Sequence, residues 1–533
     1  MGEAKLKIGL GGPFQAGAAG DLVRLLRAAF PGLFEPLTDV PPGALGGVVQ
    51  FAAGPEECPP ACGGVPCLVV HLATGTFAAP RLCFGHGSAV PRVFRGRTVG
   101  LPRAACLAPQ VSAGGGEVLA TVEGRPTWMD RSEPGRRVEH CAVDLRDAGT
   151  ATALFQCLAA GGVAQLLPIL EMVRRVLGRT EWTPPPIRAN LMFDDPNLHA
   201  ANYGHLNFAA LVRSAEAHDY HASFATVPVD TWYTSRKAAA LFRDFPHRLS
   251  LLIHGHYHRF EEMARFPTPQ VALREMGQAL NRIRRFEQRS GVAVARVTAA
   301  PHGVCSELTL QAMARLGYEG AAISNHYLKE RNPGALWVPA VGADMAVFAG
   351  GTPVVPRFRI SRDYQANVLL AAYLDQPIIP AGHHGDFADD FGLVQEVAGF
   401  INGLGPVRWT GMKDIFRANF YRRRRGSELH LRAFARVLEL TLPPDVTSLS
   451  VEPAWSGDSR MAGLRVGQAG VAEQRWDHYA GEAFPVRGGT RLHLEFPVPD
   501  PVDPATQRGR LQVLGLARRQ VCELRDRLRL PPS

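Results

Sequence analysis

The chain has 533 residues, of which 46% are hydrophobic and 20% are charged, and these proportions are typical of globular proteins. A chain of this length and composition is too apolar to be disordered throughout and long enough for several folded domains. The formal net charge of +9 is scattered along the sequence, and such a distribution does not predict a nucleic-acid partner.

The first residues and the cysteines bear on the cellular compartment. Residues 1–8 lack the apolar stretch and the cleavage site of a secretory signal. Since the sequence has no run of 18 uninterrupted apolar residues, we expect no transmembrane helix and no membrane partner. Nine cysteines, an odd number in a long chain, favour reduced thiols over a disulfide framework. These features predict a cytoplasmic protein.

Residues 1–180 are expected to form an accessory α/β domain. Short apolar runs alternate with segments of helical periodicity, and this alternation predicts a parallel sheet. The predicted strands are 5–10, 47–51 and 67–72, and the predicted helices are 21–30 and 151–177. The arrangement resembles the flavodoxin-like fold of class I glutamine amidotransferases.

Four cysteines in this region raise two alternatives to a purely structural role. Cys58, Cys62, Cys67 and Cys83 are spaced too irregularly for paired zinc knuckles, so we expect buried thiols near a Pro/Gly-rich loop. The segment 82–87 echoes the nucleophile elbow of the amidotransferases. It lacks the first glycine of that elbow, and no convincing His/Glu pair follows it, so a catalytic Cys83 is the less favoured alternative.

Three successive prolines at 184–186 form a stiff linker, because proline favours extended geometry and excludes helix. A central domain is predicted from 187 to 425. Strands and helices alternate in it, and polar clusters follow the strands. The predicted strands are 190–193, 220–227, 249–253, 292–297, 320–323 and 376–380, and the predicted helices are 206–218, 271–290 and one ending at 316.

Metal-binding residue types stand at the ends of two of these strands. Asp194 and Asp195 end the first strand, and His254, His256 and His258 follow a later one. The carboxyl ends of parallel strands are where α/β folds place their active sites. One carboxylate and two imidazoles can hold a divalent metal with open positions, and the second carboxylate is then a candidate general base. In an extended segment all three histidines share a face, whereas in a helical turn only His254 and His258 do.

Two further regions complete the chain. His383 and His384 follow the last predicted strand of the central domain and are candidates for the same site. Arginines 422–425 are expected to form a solvated helix end. Residues 427–533 contain alternating segments separated by turns, which predict a small β-sandwich, and a charged helix is predicted at 507–528.

The central region resembles the polysaccharide deacetylase superfamily (NodB homology, carbohydrate esterase family 4) over about residues 187–400. Five motifs carry this resemblance in order: Phe193-Asp194-Asp195, the segment 221–227, His254 with His258, Pro301-His302-Gly303 with Leu316-Gly317-Tyr318, and a late histidine. The resemblance implies an irregular (β/α)7 barrel. It also implies a metal-dependent hydrolase that removes an acyl group from a carbohydrate-like substrate.

The resemblance also implies residue roles. Asp195, His254 and His258 would bind a divalent metal, with zinc as the first expectation and cobalt, manganese or nickel as alternatives. Asp194 would act as the base that deprotonates a metal-activated water. His383 or His384 would protonate the leaving group.

The sequence departs from the family pattern at the third motif. Ala299 stands where the family has the arginine that orients the catalytic aspartate, and Arg296 lies three residues earlier. His302 replaces the tyrosine of that motif. We therefore expect Arg296, His302 and His256 to contact the substrate or to support the metal ligands. The substrate would then be an acylated small molecule or another carbohydrate-like compound, rather than a standard N-acetyl sugar polymer.

Two other functions stay open on this evidence. One is a catalytically inactive member of the superfamily that binds carbohydrate or serves as a scaffold. The other is a metal-dependent amidohydrolase that acts on a non-sugar amide. The sequence does not determine the oligomeric state.

Overall fold

The structure is a computed structural model in which two compact units are distinguished. The first comprises residues 1–182, 338–343 and 365–374, and the second comprises 183–337, 344–364 and 375–533. The residues that the structure describes are 6–53, 64–72, 76–101, 103–113, 115–144, 163–178, 181–324, 344–361, 364–388, 390–454, 463–468, 471–476, 482–509 and 513–528. Cys58 and Cys62 lie outside these ranges, as does the first part of the predicted helix 151–177.

The first unit is built on a nine-stranded mixed sheet. Five neighbouring strands are parallel, in the order Phe34–Pro36, Lys7–Gly11, Leu45–Ala52, Cys67–Leu72 and Val138–Val143. Four antiparallel strands extend the sheet, in the order Arg125–Asp130, Glu117–Val122, Arg81–Phe84 and Thr98–Gly100. Numbered along the chain, the parallel part has the strand order 2-1-3-4-5, which is that of flavodoxin-like folds.

Shorter elements accompany this sheet. Strands Thr76–Ala78 and Arg103–Ala105 pair with each other. The helices are Gly17–Ala29, Pro109–Ala113, Val163–Val176 and Tyr364–Tyr373, of which the last joins the first unit from its second residue. Cys67 is buried in a parallel strand and Cys83 is exposed in an antiparallel one. The alternative of a nucleophile elbow at Cys83 is wrong, because this residue lies within a strand rather than at a strand-to-helix turn.

The second unit contains a closed barrel of seven parallel strands. In chain order they are Leu191–Asp195, Ala222–Thr226, Leu249–His254, Val294–Ala299, Gly320–Ser324, Thr352–Arg359 and Pro380–Gly382. The last strand pairs with the first and closes the barrel. A short strand, Val347–Ala349, pairs antiparallel with the sixth. The predicted (β/α)7 barrel is therefore confirmed.

The barrel helices begin where the sequence supplies a capping side chain. The second unit has the helices Phe208–His218, Arg236–Asp244, Pro269–Ser290, Glu307–Arg315, Gly392–Asn402 and Met412–Arg417. The first four follow Asn207, Ser235, Thr268 and Ser306, whose side chains accept hydrogen bonds from backbone N–H groups of the first turn. Each cap satisfies a donor that the helix itself cannot pair. The strand-to-helix loops are fixed in this way on the side of the barrel where the strands end.

The remainder of the second unit contains two four-stranded sheets and a helix. One sheet has the order Phe420–Arg425, Glu428–Ala433, Ser448–Pro453 and Ala483–Pro485, and the other Val437–Thr441, Arg491–Glu495, Leu464–Gln468 and Val471–Trp476. Leu431, Val451, Leu494 and Phe496 belong to one buried core that both sheets share. The helix is Val513–Arg527.

Two sequence expectations about this region have different outcomes. The expected helix end at arginines 422–425 is wrong, because these residues belong to a strand that turns at Gly426 into its antiparallel partner. The division into a barrel domain, 187–425, and a C-terminal domain, 427–533, stays a prediction. Among the described residues, no helix combines the length and the apolarity that a membrane crossing requires.

Candidate metal centre

The two adjacent aspartates lie at the carboxyl end of the first barrel strand. Side chains of successive strand residues point to opposite faces, so two neighbours reach one site only where the chain turns. The turn is made at Asp195 itself, whose φ is 82°. Asp194 is buried, and the side chain of Asp195 is 13% exposed. Both carboxylates therefore lie at the edge of the barrel where the strands end.

Asp195, His254 and His258 converge. Their ligand atoms all lie within 4.8 Å of one another, and no other such group is found among the described residues. Nε2 of His258 is 3.4 Å from Oδ1 of Asp195. Two imidazoles and one carboxylate form a donor set that suits zinc and related divalent cations. This chain's residues thus fit the metal that the family resemblance implies.

Both histidines of this cluster direct Nε2 at its aspartates. Nδ1 of His254 lies 2.9 Å from the carbonyl oxygen of Ala299, which can only accept, so Nδ1 carries a proton and Nε2 is the nitrogen left for a metal. Burial lowers the pKa of His258 to about 3, against the opposing charge of Asp195. Neutral imidazole is the form that binds metals.

Asp194 is held by an arginine that the sequence analysis did not identify. Nη1 of Arg357, on the sixth barrel strand, donates to Oδ1 of Asp194 at 2.6 Å, and Nη2 donates to the carbonyl of Ala300 at 3.0 Å. Oδ2 of Asp194 lies 3.9 Å from Nε2 of His254. Burial by itself raises the pKa of Asp194, but the charges of Arg357 and His254 outweigh it and hold the pKa below its usual value. The carboxylate is ionised, with one oxygen directed at the cluster.

Arg296, the arginine expected near this carboxylate, has other partners. Its guanidinium pairs with Glu287 at 2.6 Å and also donates to the carbonyl of Val294 at 3.0 Å. The sequence does contain a signal for Arg357, because an arginine in the apolar run of the sixth strand must find a buried acceptor. That signal does not say which carboxylate it meets.

Glu262 fixes the loop that carries His258. Its two carboxylate oxygens accept hydrogen bonds from four successive backbone N–H groups, those of residues 256–259, at 2.6 to 3.3 Å. Gly255 has a φ of 58°, and a β-carbon at this position would overlap the Glu262 carboxylate. The loop therefore curls around a buried charge, and this curl returns His258 towards His254. Sequence reasoning missed Glu262.

His256 does not join the cluster. Its Nδ1 lies 2.9 Å from Oε2 of Glu275, and Nε of Arg282 lies 3.2 Å from its Nε2. Both partners belong to the helix Pro269–Ser290. The sequence left open whether all three histidines share a face. In the structure His256 is directed at the barrel helix, whereas His254 and His258 are directed at Asp195.

His302 lies at the exposed rim of the cluster. Its ring centroid is 5.0 Å from that of His258 and 5.1 Å from that of Phe260. Nδ1 of His302 accepts a hydrogen bond from the backbone N–H of Glu261 at 3.3 Å. The side chain is therefore placed where a bound molecule could touch it.

The two late histidines have different surroundings. The side chain of His383 is exposed, and its charge contributes to lowering the pKa of both Asp194 and Asp195. His384 instead packs against the rings of Tyr203 and His205, with centroids 5.5 and 5.9 Å away. Of the pair, His383 is the one whose charge acts on the aspartates.

Three residues of the site have backbone conformations that are unfavourable for residues other than glycine. The φ angles are 82° at Asp195, 57° at His258 and 58° at His302. Left-handed conformations of this kind cost about 1 to 3 kcal/mol each and persist only where the surroundings enforce them. Asp195 is the last residue of the first barrel strand, and His258 and His302 lie in the loops that follow the third and fourth strands.

Exposed aromatic rings follow two of the barrel strands on the same side. Trp232 and Tyr233, after the second strand, are 62% and 51% exposed, and Phe260, after the third, is 49% exposed. The rings of Trp232 and Tyr233 lie 5.1 and 5.9 Å from that of His199, which follows the first strand. Large exposed rings beside polar groups are a common feature of ligand sites.

Comparisons with known proteins give the following result. No protein-family model matches the chain, and no curated protein matches it. Among solved structures, one similar to this chain is a candidate polysaccharide deacetylase from Mycobacterium smegmatis. The match covers 44% of this chain and 90% of the deacetylase, with 15% sequence identity and a TM-score of 0.31. A family 4 acetyl xylan esterase from Clostridium thermocellum, solved with cobalt, matches 43% of this chain and 90% of its own, with 10% identity and a TM-score of 0.25.

A CE4-family pseudoenzyme from Bacillus anthracis also matches. It covers 38% of this chain and 65% of its own, with 13% identity and a TM-score of 0.22. At these identities and TM-scores, the matches assign neither an activity nor residue roles to this chain. The first two of these matches cover about two fifths of this chain.

Proposed function

We propose that this protein is a metal-dependent hydrolase that removes an acyl group from a carbohydrate-like substrate. The observation that carries the proposal is the convergence of Asp195, His254 and His258 within 4.8 Å, beside a second carboxylate that an arginine holds. A structural role does not require three ligand-type side chains and an ionised aspartate at the open end of a barrel. A metal-dependent hydrolytic site uses both, the first to hold the cation and the second to accept a proton from water.

In the proposed site, Asp195, His254 and His258 hold the divalent cation. When bound, such a cation polarises an acyl oxygen and makes water a better nucleophile at neutral pH. Zinc is the first expectation for two imidazoles and a carboxylate, and cobalt, manganese or nickel would also fit. The hydrogen bond from His254 to Ala299 fixes the ring so that Nε2 is presented to the cation.

Asp194 is the proposed general base. Oδ2 is the oxygen directed at the cluster, while Arg357 engages Oδ1, so the carboxylate cannot rotate away from the water it would deprotonate. The carboxylate is ionised at neutral pH, because its pKa is held below its usual value, and so it is free to accept a proton. Arg357 would perform the orienting role that Ala299 cannot.

His383 is the proposed general acid. It is exposed and its charge acts on both aspartates, so in this proposal it passes a proton from solvent to a leaving amine or alkoxide. The base and the acid would then act from the first and last barrel strands, which are neighbours in the closed barrel.

A carbohydrate-like substrate is supported by the surface around the cluster. Trp232, Tyr233 and Phe260 expose rings that can stack on the apolar face of a sugar. His302 lies between Phe260 and His258 and could donate to or accept from a hydroxyl group.

The test is a hydrolysis screen with purified full-length protein. Acylated amino sugars, acylated sugars and simple non-sugar amides are offered with Zn²⁺, Co²⁺ or Mn²⁺, and the metal content is measured in parallel. We expect metal-dependent release of the acyl group from a sugar substrate. Turnover of the non-sugar amides alone would show that the substrate is a non-sugar amide and not a carbohydrate. Metal binding without any turnover would favour the inactive carbohydrate-binding alternative. A protein that binds no divalent cation would refute the proposal.

A further inference from the structure

The helix Val513–Arg527 brings a buried ion pair network to the candidate metal centre. Arg519 and Glu523, one helical turn apart, are each 3% exposed. Nη1 of Arg519 lies 3.2 Å from Oδ1 of Asp195, and its Nε donates to Oδ2 of Asp230 at 2.6 Å. Buried charges are placed in this way only where several partners offset their desolvation.

Arg519 contacts both the side chain and the main chain of Asp195. Its Nη2 lies 3.4 Å from the carbonyl oxygen of Asp195 and 2.8 Å from Oε1 of Glu523. The backbone of Asp195 is in the left-handed region, with a φ of 82°. Asp230 and Glu523 hold the guanidinium of Arg519 in place. Because this group contacts both the carboxylate and the carbonyl oxygen of Asp195, it opposes relaxation of Asp195 to an ordinary backbone conformation.

Glu523 connects the same helix to the loop after the first barrel strand. Its carboxylate accepts hydrogen bonds from the side chains of Asn197 and, at 3.2 Å, of Tyr203. On the opposite flank, Leu516 packs against a buried group formed by Val227, Val229 and Tyr257. The helix is thus docked through polar contacts on the loops after the first and second barrel strands, and through apolar contacts on the loops after the second and third.

The formal charges around the cluster favour a cation in addition to the arginines. The carboxylates of Asp194, Asp195, Asp230 and Glu523 face two guanidiniums, those of Arg357 and Arg519. Two negative charges are left over, which one divalent cation would neutralise. Burial raises the pKa of Glu523, and the charge of Arg519 opposes that rise.

We infer that Arg519 is a positioning residue of the metal centre, which the helix Val513–Arg527 completes. The inference rests on the proposed function, because it assigns Arg519 to the support of the proposed ligand Asp195. Arg519 touches neither substrate nor cation in this scheme. It holds the ligand carboxylate in a conformation that the first barrel strand alone would not keep. The alternative is that Arg519 competes with the cation for Oδ1 of Asp195.

The experiment measures the affinity of full-length protein for Zn²⁺ and Co²⁺ by calorimetry. In Arg519→Met we expect the affinity to fall about 10- to 100-fold, the range found when a partner of a ligand is removed. Arg519→Lys restores part of the affinity, since it keeps the charge but not the fork of donors. The matched control is Arg285→Met, which removes an exposed arginine from the outer surface of a barrel helix.

Each outcome of these measurements either supports or overturns the positioning role of Arg519. Unchanged affinity in a folded Arg519→Met protein overturns the inference, and tighter binding overturns it in favour of competition with the cation. If that variant does not fold, Arg519→Lys and Asp230→Asn carry the test, and wild-type affinity in both overturns the inference. The absorption spectrum of bound Co²⁺ should also change in Arg519→Lys, because the ligand carboxylate is reoriented. Failure of the wild type to bind either cation refutes the proposed function itself, whereas normal wild-type binding with an unaffected Arg519→Met refutes only this inference.

Discussion

Histidines are buried at both ends of the barrel, but their hydrogen-bond partners differ. At the end where the strands begin, both ring nitrogens of His221 have neutral partners, the carbonyl of His247 at 3.0 Å and the hydroxyl of Ser250 at 2.8 Å. Ser250 in turn contacts Ser223, which accepts a hydrogen bond from Asn190. This chain of neutral hydrogen bonds runs from the carbonyl of His247 to that of Thr410, to which Asn190 also donates.

At the end where the strands finish, the pattern is charged. His254 has one nitrogen bonded to a carbonyl, and the other is directed at two aspartates and a second histidine. Burial of a histidine therefore does not indicate a site. A site is indicated where one nitrogen is fixed by a backbone acceptor and the other faces further ligands.

The largest expected effect is at the charged end. Asp194→Asn removes the proposed base but keeps the shape of the side chain, so we expect kcat to fall about 10²- to 10⁴-fold while metal is retained. The measurement is steady-state hydrolysis together with metal analysis. Undiminished turnover in a metal-loaded variant would exclude Asp194 as the base.

At the neutral end, protonation should affect stability and not the site. Burial lowers the pKa of His221 from its ordinary value of 6.5 to about 4. The unfolded chain therefore binds the proton more readily, and stability that is present above pH 6.5 is lost as the pH falls towards 4, by about 3 kcal/mol. In His221→Gln this part of the acid destabilisation should disappear, as measured by urea unfolding between pH 4 and pH 7. Parallel pH profiles for the two proteins would contradict the expectation.

Two buried glutamates on either side of the His254–His258 loop give a matched comparison. Glu262→Gln replaces the carboxylate that four loop N–H groups share, so we expect metal affinity to fall about 10- to 100-fold through misplacement of His258. Glu275→Gln alters only the partner of His256, which points away from the cluster, and should leave the affinity near that of the wild type. Calorimetric titration with Zn²⁺ separates the two. Equal losses would mean that His256 also supports the metal.

The smallest expected effect is at the neutral end again. Ser250→Ala removes the hydroxyl shared by His221 and Ser223, and we expect a loss of about 1 kcal/mol in the free energy of unfolding with unchanged metal affinity. Urea unfolding and calorimetry on the same preparation measure both quantities. A change in metal affinity would show that the two ends of the barrel are coupled.

Much of the barrel could be predicted from local sequence. Apolar runs such as 249–253 end in polar residues at the point where the strand leaves the barrel, and capping residues such as Ser306 mark the helix starts. The strand at arginines 422–425 could not be recognised in this way, because a run of arginines has no strand periodicity. Its antiparallel pairing with 428–433 supplies the structure instead.

The ligand-type residues could be predicted, whereas the residues that support them could not. Asp195, His254 and His258 stand at strand ends, where a motif is visible in the sequence. Arg357 and Arg519 act from 163 and 324 residues away in sequence, and only the closed barrel and the docked helix bring them to the aspartates. A buried arginine predicts an acidic partner, but the identity of that partner is a tertiary property.

The left-handed residues of the site have a consequence for the evolution of thermal resistance. Glycine would relieve the torsional penalty at Asp195, His258 or His302, and each replacement could raise the melting temperature. Selection for heat tolerance alone would then favour replacement of these three residues of the proposed site. If variants selected for higher thermal stability keep these three side chains, the side chains are needed for something other than folding.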